Sequence, residues 1–278
     1  MAIIFGLGFT GERLAQRLLT RGVDVFAPVR GVERFPGLAK AGLRLCKLNL
    51  LESCPESRVD QLPSGARIAL LIPPLSEREN ARLRNLIAAL APARIVYVSS
   101  TGVYGDQTAV DADTPVAPND ERGKRRMEEE RWIASGPWSS LILRAAAIYG
   151  PGRGVHAAVR DGRVPRGADS GVTSRIHVDD LAAIVEAGLF SELGGTWPIA
   201  DEEPCASADI TRWYLERSHL MPPERTDTGT GLKFQGRRVD GQKIREMLGV
   251  ELRYPTWRTG VPASIQEEEL LADRAVRG

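Results

Sequence analysis

Ala2-Ile3-Ile4-Phe5-Gly6-Leu7-Gly8-Phe9-Thr10-Gly11-Glu12-Arg13-Leu14-Ala15-Gln16-Arg17-Leu18-Leu19-Thr20-Arg21 decides the fold. Its first four residues form a short apolar run fit for a buried strand. From Glu12 to Arg21 the apolar residues recur at helical spacing. Between the two lies G-x-G-x-x-G, and a second apolar run, Val23–Val29, follows the helix. Strand, glycine turn, helix and strand make a crossover unit with parallel strands. With 28 glycines in the chain the motif alone says little; its place between a strand and a helix gives it meaning.

In that context each glycine has a task. Gly6 permits the tight turn, Gly8 lets backbone approach a pyrophosphate, and Gly11 allows the helix to pack closely on the strand. The free N–H groups at the helix start, with Phe9 and Thr10 in the turn, then face the phosphates. A nicotinamide dinucleotide is the expected ligand.

Outward from this unit the alternation continues. Apolar runs recur at Leu43–Leu48, Arg67–Ile72, Arg94–Ser99 and Ser139–Arg144, with helical patterns at Glu77–Leu90 and Glu121–Ala134. The fold class expected is α/β, a doubly wound parallel Rossmann sheet with a small C-terminal cap. Residues 1–150, with 176–200 returning to them, form the dinucleotide-binding domain. Residues 151–175 and 201–278 form the substrate cap, with helices at Ser207–His219, Asp240–Leu248 and Ser264–Arg277, while the helix at Val178–Phe190 and the strand at Thr196–Ala200 return to the sheet. Met221–Gly236, rich in Pro, Gly and Thr, reads as a mobile loop.

Composition narrows the function. The 37 basic and 36 acidic side chains leave a net charge of +1, so no basic field gathers nucleic acid. Cys46, Cys54 and Cys205 have no paired spacing, and His156, His177 and His219 are scattered; neither a disulfide framework nor a metal site is expected. The start carries no basic leader and no apolar run long enough to span a bilayer. A cytoplasmic protein with a small-molecule substrate is expected.

The second strand ends Ala27-Pro28-Val29-Arg30. A carboxylate there would bind the adenosine ribose and repel a 2′-phosphate. None is present, and Arg30 can clamp a phosphate, so the pattern favours NADP over NAD.

Further motifs resemble one family. They are Gly6–Gly11, Asn49-Leu50, Tyr97-Val98-Ser99-Ser100-Thr101-Gly102-Val103-Tyr104-Gly105, Leu143-Arg144, Ile148-Tyr149-Gly150-Pro151-Gly152, Ile176-His177-Val178-Asp179-Asp180 and Lys243–Gly249. In that order the chain resembles the extended short-chain dehydrogenase/reductases, the group of nucleotide-sugar epimerases and dehydratases. The resemblance implies that Ser100 hydrogen-bonds the reacting oxygen of a substrate. It places Asn49 and Leu50 at the adenine, and Ile72, Pro73 and Ser99 along the cofactor. It also implies a dimer through the helix at Asn119–Ala134, and a helix start, capped by Asp179 or Asp180, at His177. Arg237 or Arg238 falls loosely where relatives meet substrate diphosphates.

The family's central pair is a Tyr and, four residues later, a Lys. Here Arg122 and Arg126 stand at those positions, which marks an atypical branch. Arginine stays protonated, so Arg122 cannot accept a hydroxyl proton; Arg126 can still hold ribose or phosphate. Three readings follow. Tyr104 or Tyr149 replaces the proton donor; Arg122 binds an anionic substrate while hydride moves; or the protein binds dinucleotide without turnover, as a sensor. An oxidoreductase or epimerase-like enzyme leads, with a nucleotide-sugar epimerase whose acid–base residue has moved as the alternative. Lys124 and Arg125 are expected on a solvated face with Glu128, Glu129 and Glu130.

Overall fold

Each short apolar run of the first 150 residues becomes a strand. The computed structural model describes residues 1–50, 60–163, 171–218, 220–221 and 236–277. Cys54, His219 and most of the loop expected at 221–236 lie outside the described residues. In chain order the elements are β1 (Ala2–Phe5), α1 (Phe9–Thr20), β2 (Val25–Val29), α2 (Pro36–Lys40), β3 (Arg44–Lys47), β4 (Arg67–Leu70), α3 (Glu77–Leu90), β5 (Arg94–Ser100), β6 (Ala109–Val110), α4 (Glu121–Ser135), β7 (Ser139–Ala145) and β8 (Ala147–Tyr149). Then come α5 (Val155–Arg160), β9 (Arg175–His177), α6 (Val178–Phe190), β10 (Gly195–Ile199), α7 (Ser207–Ser218), β11 (Arg238–Val239), α8 (Gln242–Leu248) and α9 (Trp257–Arg277).

Seven strands form one parallel sheet in the order β10-β7-β5-β4-β1-β2-β3. The winding reverses between β1 and β4, which opens a crevice at the strands' carboxyl ends. The phosphate turn lies at that switch point. Leu14 and Leu18 of α1 and Leu181, Ile184 and Val185 of α6 cover one face of the sheet. Leu83, Leu86 and Ile87 of α3, with Ile133 of α4, cover the other. The two prolines in strands sit where no ladder N–H is needed. Pro198 is on the edge strand β10, and Pro28 lies beyond Phe26, where the β1–β2 register ends.

Local chemistry fixes the helix starts. Ser76 and Glu79 close a capping box on α3, and the Asp120 carboxylate accepts from Gly123 N–H at α4. At α6 the expectation of an aspartate cap is corrected: His177 is the cap, its Nδ1 accepting from Asp179 N–H. Asp180 instead accepts from the N–H groups of Arg253 and Tyr254 at 2.7 and 3.0 Å, tying the segment before α9 to α6. That tie joins residues 73 and 74 positions apart, which no local pattern reports. The final helix also starts earlier than the expected Ser264. It begins at Trp257 and runs through Pro262, a residue that removes one helical hydrogen bond and hides the first turns from a pattern reading.

Two small parallel pairs, β8–β9 and β6–β11, stand off the main sheet. Tyr149, Cys205, Ile210, Trp257 and Val261 form a separate apolar cluster beside them.

Candidate active site

The phosphate turn shows three different glycine environments. Gly6 has φ +100°, and a Cβ there would lie 2.9 Å from the Leu71 carbonyl carbon. A Cβ on Gly11 would lie 2.2 Å from the Gly6 carbonyl oxygen, so α1 packs directly on the turn. A Cβ on Gly8 meets nothing within 4 Å. The middle glycine therefore bares its backbone to the crevice, beside the unbonded N–H groups of the first helical turn. This is the geometry a pyrophosphate requires. Around it, Arg30 is exposed at the end of β2, Asn49 and Leu50 are half-buried beyond β3, and Ile72 and exposed Pro73 follow β4. The Leu50 carbonyl is held by Arg82 of α3 at 2.7 Å, and Ile72 packs against Gly6.

The other half of the site is the turn Ser100–Tyr104. Ser100 is half-buried, and its Oγ accepts from Gly102 N–H at 3.1 Å, which leaves its own proton to donate. Ser99, by contrast, is 3% exposed and donates to Glu130 Oε1 at 2.5 Å. The expected cofactor contact is thus not made by the Ser99 hydroxyl: alternate residues of a strand face opposite ways, and this one faces the core. Tyr104 is fully buried. Its hydroxyl accepts from Arg144 Nη1 at 3.1 Å and points at the Asp111 carbonyl. Arg144 also grips Glu130, with Nη2 to Oε2 at 2.8 Å. Tyr104 therefore sits in a closed chain Ser99–Glu130–Arg144–Tyr104 under the turn, a placement at odds with donating protons in the crevice. Tyr149 is 2% exposed, and burial pushes its hydroxyl pKa up.

Glu129 and Glu130 correct a second expectation. Both are buried, Glu129 bonded by Arg84 at 2.8 Å and Glu130 by Arg144. The charge run read as a solvated face because the partner arginines lie 45 and 14 positions away. Lys124 does pair in solvent with Glu121, at 2.7 Å.

Arg122 and Arg126 behave differently. Arg126 Nη1 donates to Tyr97 Oη and to the Val98 carbonyl, each at 3.0 Å, under β5. Arg122, on the first turn of α4, is exposed and makes no hydrogen bond or ion pair among the described residues. The neighbouring Gly123 holds the helix start against the Ser100 turn: a Cβ there would lie 3.2 Å from the Gly102 carbonyl oxygen. Ser100 and Arg122 thus sit on two elements in direct contact.

His177 is 1% exposed, with Nδ1 accepting from Asp179 N–H and Nε2 donating to Ser264 Oγ at 3.2 Å. Burial pushes its pKa down to about 3, so the ring is neutral and structural. Arg237 is not free to meet a diphosphate. It donates to the carbonyls of Gln107, Thr101 and Gly105, clasping the Ser100 turn to β11.

Sequence reasoning missed Asp201, just beyond β10. It is 4% exposed, neither carboxyl oxygen has a hydrogen-bond partner among the described residues, and burial pushes its pKa up to about 8. The folded state therefore keeps a proton that the unfolded chain releases near pH 4. The stabilisation this gives is complete below about pH 4 and is lost as pH rises through 8. Urea midpoints of the wild type and Asp201→Asn should diverge over that window, with the variant losing less stability toward pH 8. Parallel pH profiles would refute this.

No family model matches the chain. A Streptomyces protein named 3-diazoavenalumate denitrifying reductase is 29% identical over 297 residues, covering 91% of this chain and 96% of that protein. Protein YeeZ of Escherichia coli K12 is 31% identical over 274 residues, covering 91% and 95%. Among solved structures, a Methylobacillus flagellatus protein assigned to the NAD-dependent epimerase/dehydratases superposes with a TM-score of 0.75 at 26% identity, covering 96% of this chain and 98% of that one.

Proposed function

This chain belongs to the NAD-dependent epimerase/dehydratase family, the extended short-chain dehydrogenase/reductases, and from that premise we propose that it is an NADP-dependent oxidoreductase acting on a small anionic carbonyl compound. The observation that carries the reading is Arg122: an exposed guanidinium without a partner among the described residues, on the first turn of α4, whose Gly123 packs on the Ser100 turn, at the position the resemblance gives to the family's tyrosine. Gly6, Gly8, Phe9, Thr10 and Gly11 cradle the pyrophosphate, Arg30 takes the 2′-phosphate, and Asn49, Leu50, Ile72 and Pro73 line the adenosine side. NADPH, when bound there, supplies a hydride to the substrate carbon.

The chain's own groups manage the charge. Ser100 donates its hydroxyl proton in a hydrogen bond to the carbonyl oxygen, while its Oγ stays fixed by Gly102 N–H. Arg122 pairs with the substrate's carboxylate or phosphate and offsets the negative charge that grows on the oxygen. Arg122 cannot release a proton near neutrality, so the oxygen takes its proton from water. Arg126, bonded to Tyr97 and Val98, buttresses β5 under the nicotinamide side and does not serve as a free lysine substitute. The reductase name of the Streptomyces relative supports hydride delivery over epimerisation.

The test has two parts. Titration by tryptophan fluorescence should give tighter binding of NADPH than of NADH, and Arg30→Leu should weaken NADPH about tenfold while leaving NADH alone. NADPH oxidation should then be followed with carbonyl compounds that carry a carboxylate or phosphate. Arg122→Leu should raise KM for these substrates and spare neutral analogues. Ser100→Ala should lower kcat about a hundredfold. Tight NADPH binding without turnover of any such compound would instead favour the sensor reading.

A further inference from the structure

We propose that Arg153 is a second cationic ligand for the dinucleotide pyrophosphate, held over the phosphate turn by Glu268 of the C-terminal helix. This deepens the dinucleotide reading and rests on it.

The loop after β8 is built to one shape. Gly150, Gly152 and Gly154 all have positive φ, at 158°, 72° and 128°. Gly150 and Arg153 exchange both backbone hydrogen bonds at 3.0 Å, closing a tight hairpin. That hairpin rests on the start of α1: a Cβ on Gly150 would lie 3.1 Å from Phe9 Cζ and 2.7 Å from Val178 Cγ1. Phe9 is the residue after Gly8, so the hairpin packs on the first residue of α1, next to the phosphate turn.

Arg153 reaches back over the same residue. Its Cζ lies 5.2 Å from the Phe9 ring centroid, a cation–π distance. Among the described residues the guanidinium has no carboxylate and no hydrogen-bond acceptor. Its contrast with Arg13, which engages Glu267 and Asp179 on the next turn of α1, is direct. An exposed cation set over the aromatic ring of a phosphate turn offers two in-plane N–H groups to an anion, and a diphosphate fits that fork.

Glu268 is the positioning residue. Its Oε1 accepts from Gly152 N–H at 2.5 Å and lies 3.2 Å from His156 Nε2, and its Oε2 pairs with Arg160. One carboxylate on α9 therefore fixes the hairpin at Gly152, next to Arg153, without touching the turn itself.

Four proteins are compared by calorimetry: wild type, Arg153→Leu, Arg153→Lys and Glu268→Gln. The ligands are NADP⁺, NAD⁺, ADP-ribose and adenosine 2′-monophosphate. Arg153→Leu should raise Kd about tenfold for the first three alike and leave the monophosphate unchanged. Arg153→Lys, which keeps the charge but not the fork, should fall between. Glu268→Gln should weaken the same three ligands with Arg153 intact. Equal affinities in wild type and Arg153→Leu, with an unchanged thermal midpoint, overturn the assignment. A loss with NAD⁺ but not ADP-ribose also overturns it, because Arg153 would then serve the nicotinamide end. A folded wild type that binds none of the dinucleotides overturns the dinucleotide reading itself, a distinct result.

Discussion

Arg144→Leu is expected to cost about 3–5 kcal/mol of stability. The side chain sits in a β-strand between buried leucine and alanine, and it is the partner that keeps two other groups satisfied. Removing it leaves the Glu130 carboxylate, 5% exposed, with only the Ser99 hydroxyl among the described residues, and it strips Tyr104 of its donor. A buried charge without its partner is far more costly than the pair was favourable. Urea unfolding followed by tryptophan fluorescence should show the loss directly. The double variant Arg144→Met with Glu130→Leu should recover much of it, since the charge and its counter-charge leave together. A single variant within 1 kcal/mol of wild type would show that Glu130 is not buried as an ion.

The second large effect separates folding from binding within six residues. Gly11→Ala brings a methyl to 2.2 Å from the Gly6 carbonyl oxygen, so α1 must lift from the turn. Alanine's helix preference, about 1 kcal/mol over glycine, is too small to offset that overlap, and the variant should lose both stability and dinucleotide binding. Gly8→Val places its side chain in open space, at φ −121° and ψ −152°, which any residue can adopt. Its thermal midpoint should match wild type while dinucleotide Kd rises at least about a hundredfold, because the side chain occupies the approach of the pyrophosphate. Equal binding by Gly8→Val and wild type would remove the turn from the cofactor site.

These variants also show where sequence reading stops. The phosphate turn was legible because its determinants are local. One strand, three glycines and one helix lie within twenty residues, and only the crowding at Gly6 calls on a distant segment, through Leu71 and Ile72. The parallel sheet was legible for a similar reason, since strands buried on both faces leave near-continuous apolar runs. The departure at Arg122 and Arg126 was also plain, because a missing tyrosine is a fact of composition and not of geometry.

What the two arginines do was not legible. Arg126 bonds Tyr97 and Val98 on β5, while Arg122, four residues before it, is exposed on the first turn of α4. Both fates depend on how α4 packs against β5 and the Ser100 turn. The same holds for Ser99, which donates to Glu130 while its neighbour Ser100 is half-buried and accepts from Gly102 N–H. Nor does any spacing rule bring Glu268 to Gly152, 116 positions earlier.

The glycine-rich turn, the doubly wound class and the absence of a tyrosine from α4 were therefore fixed in the chain's own order of residues, because each is a matter of near neighbours. Which arginines are spent inside the protein and which remain for an anion was decided by the tertiary structure alone. A guanidinium's role depends on whether a carboxylate or carbonyl meets it, and those partners arrive from distant parts of the chain. Arg144, Arg237 and Arg126 find such partners; Arg122 and Arg153 find none among the described residues.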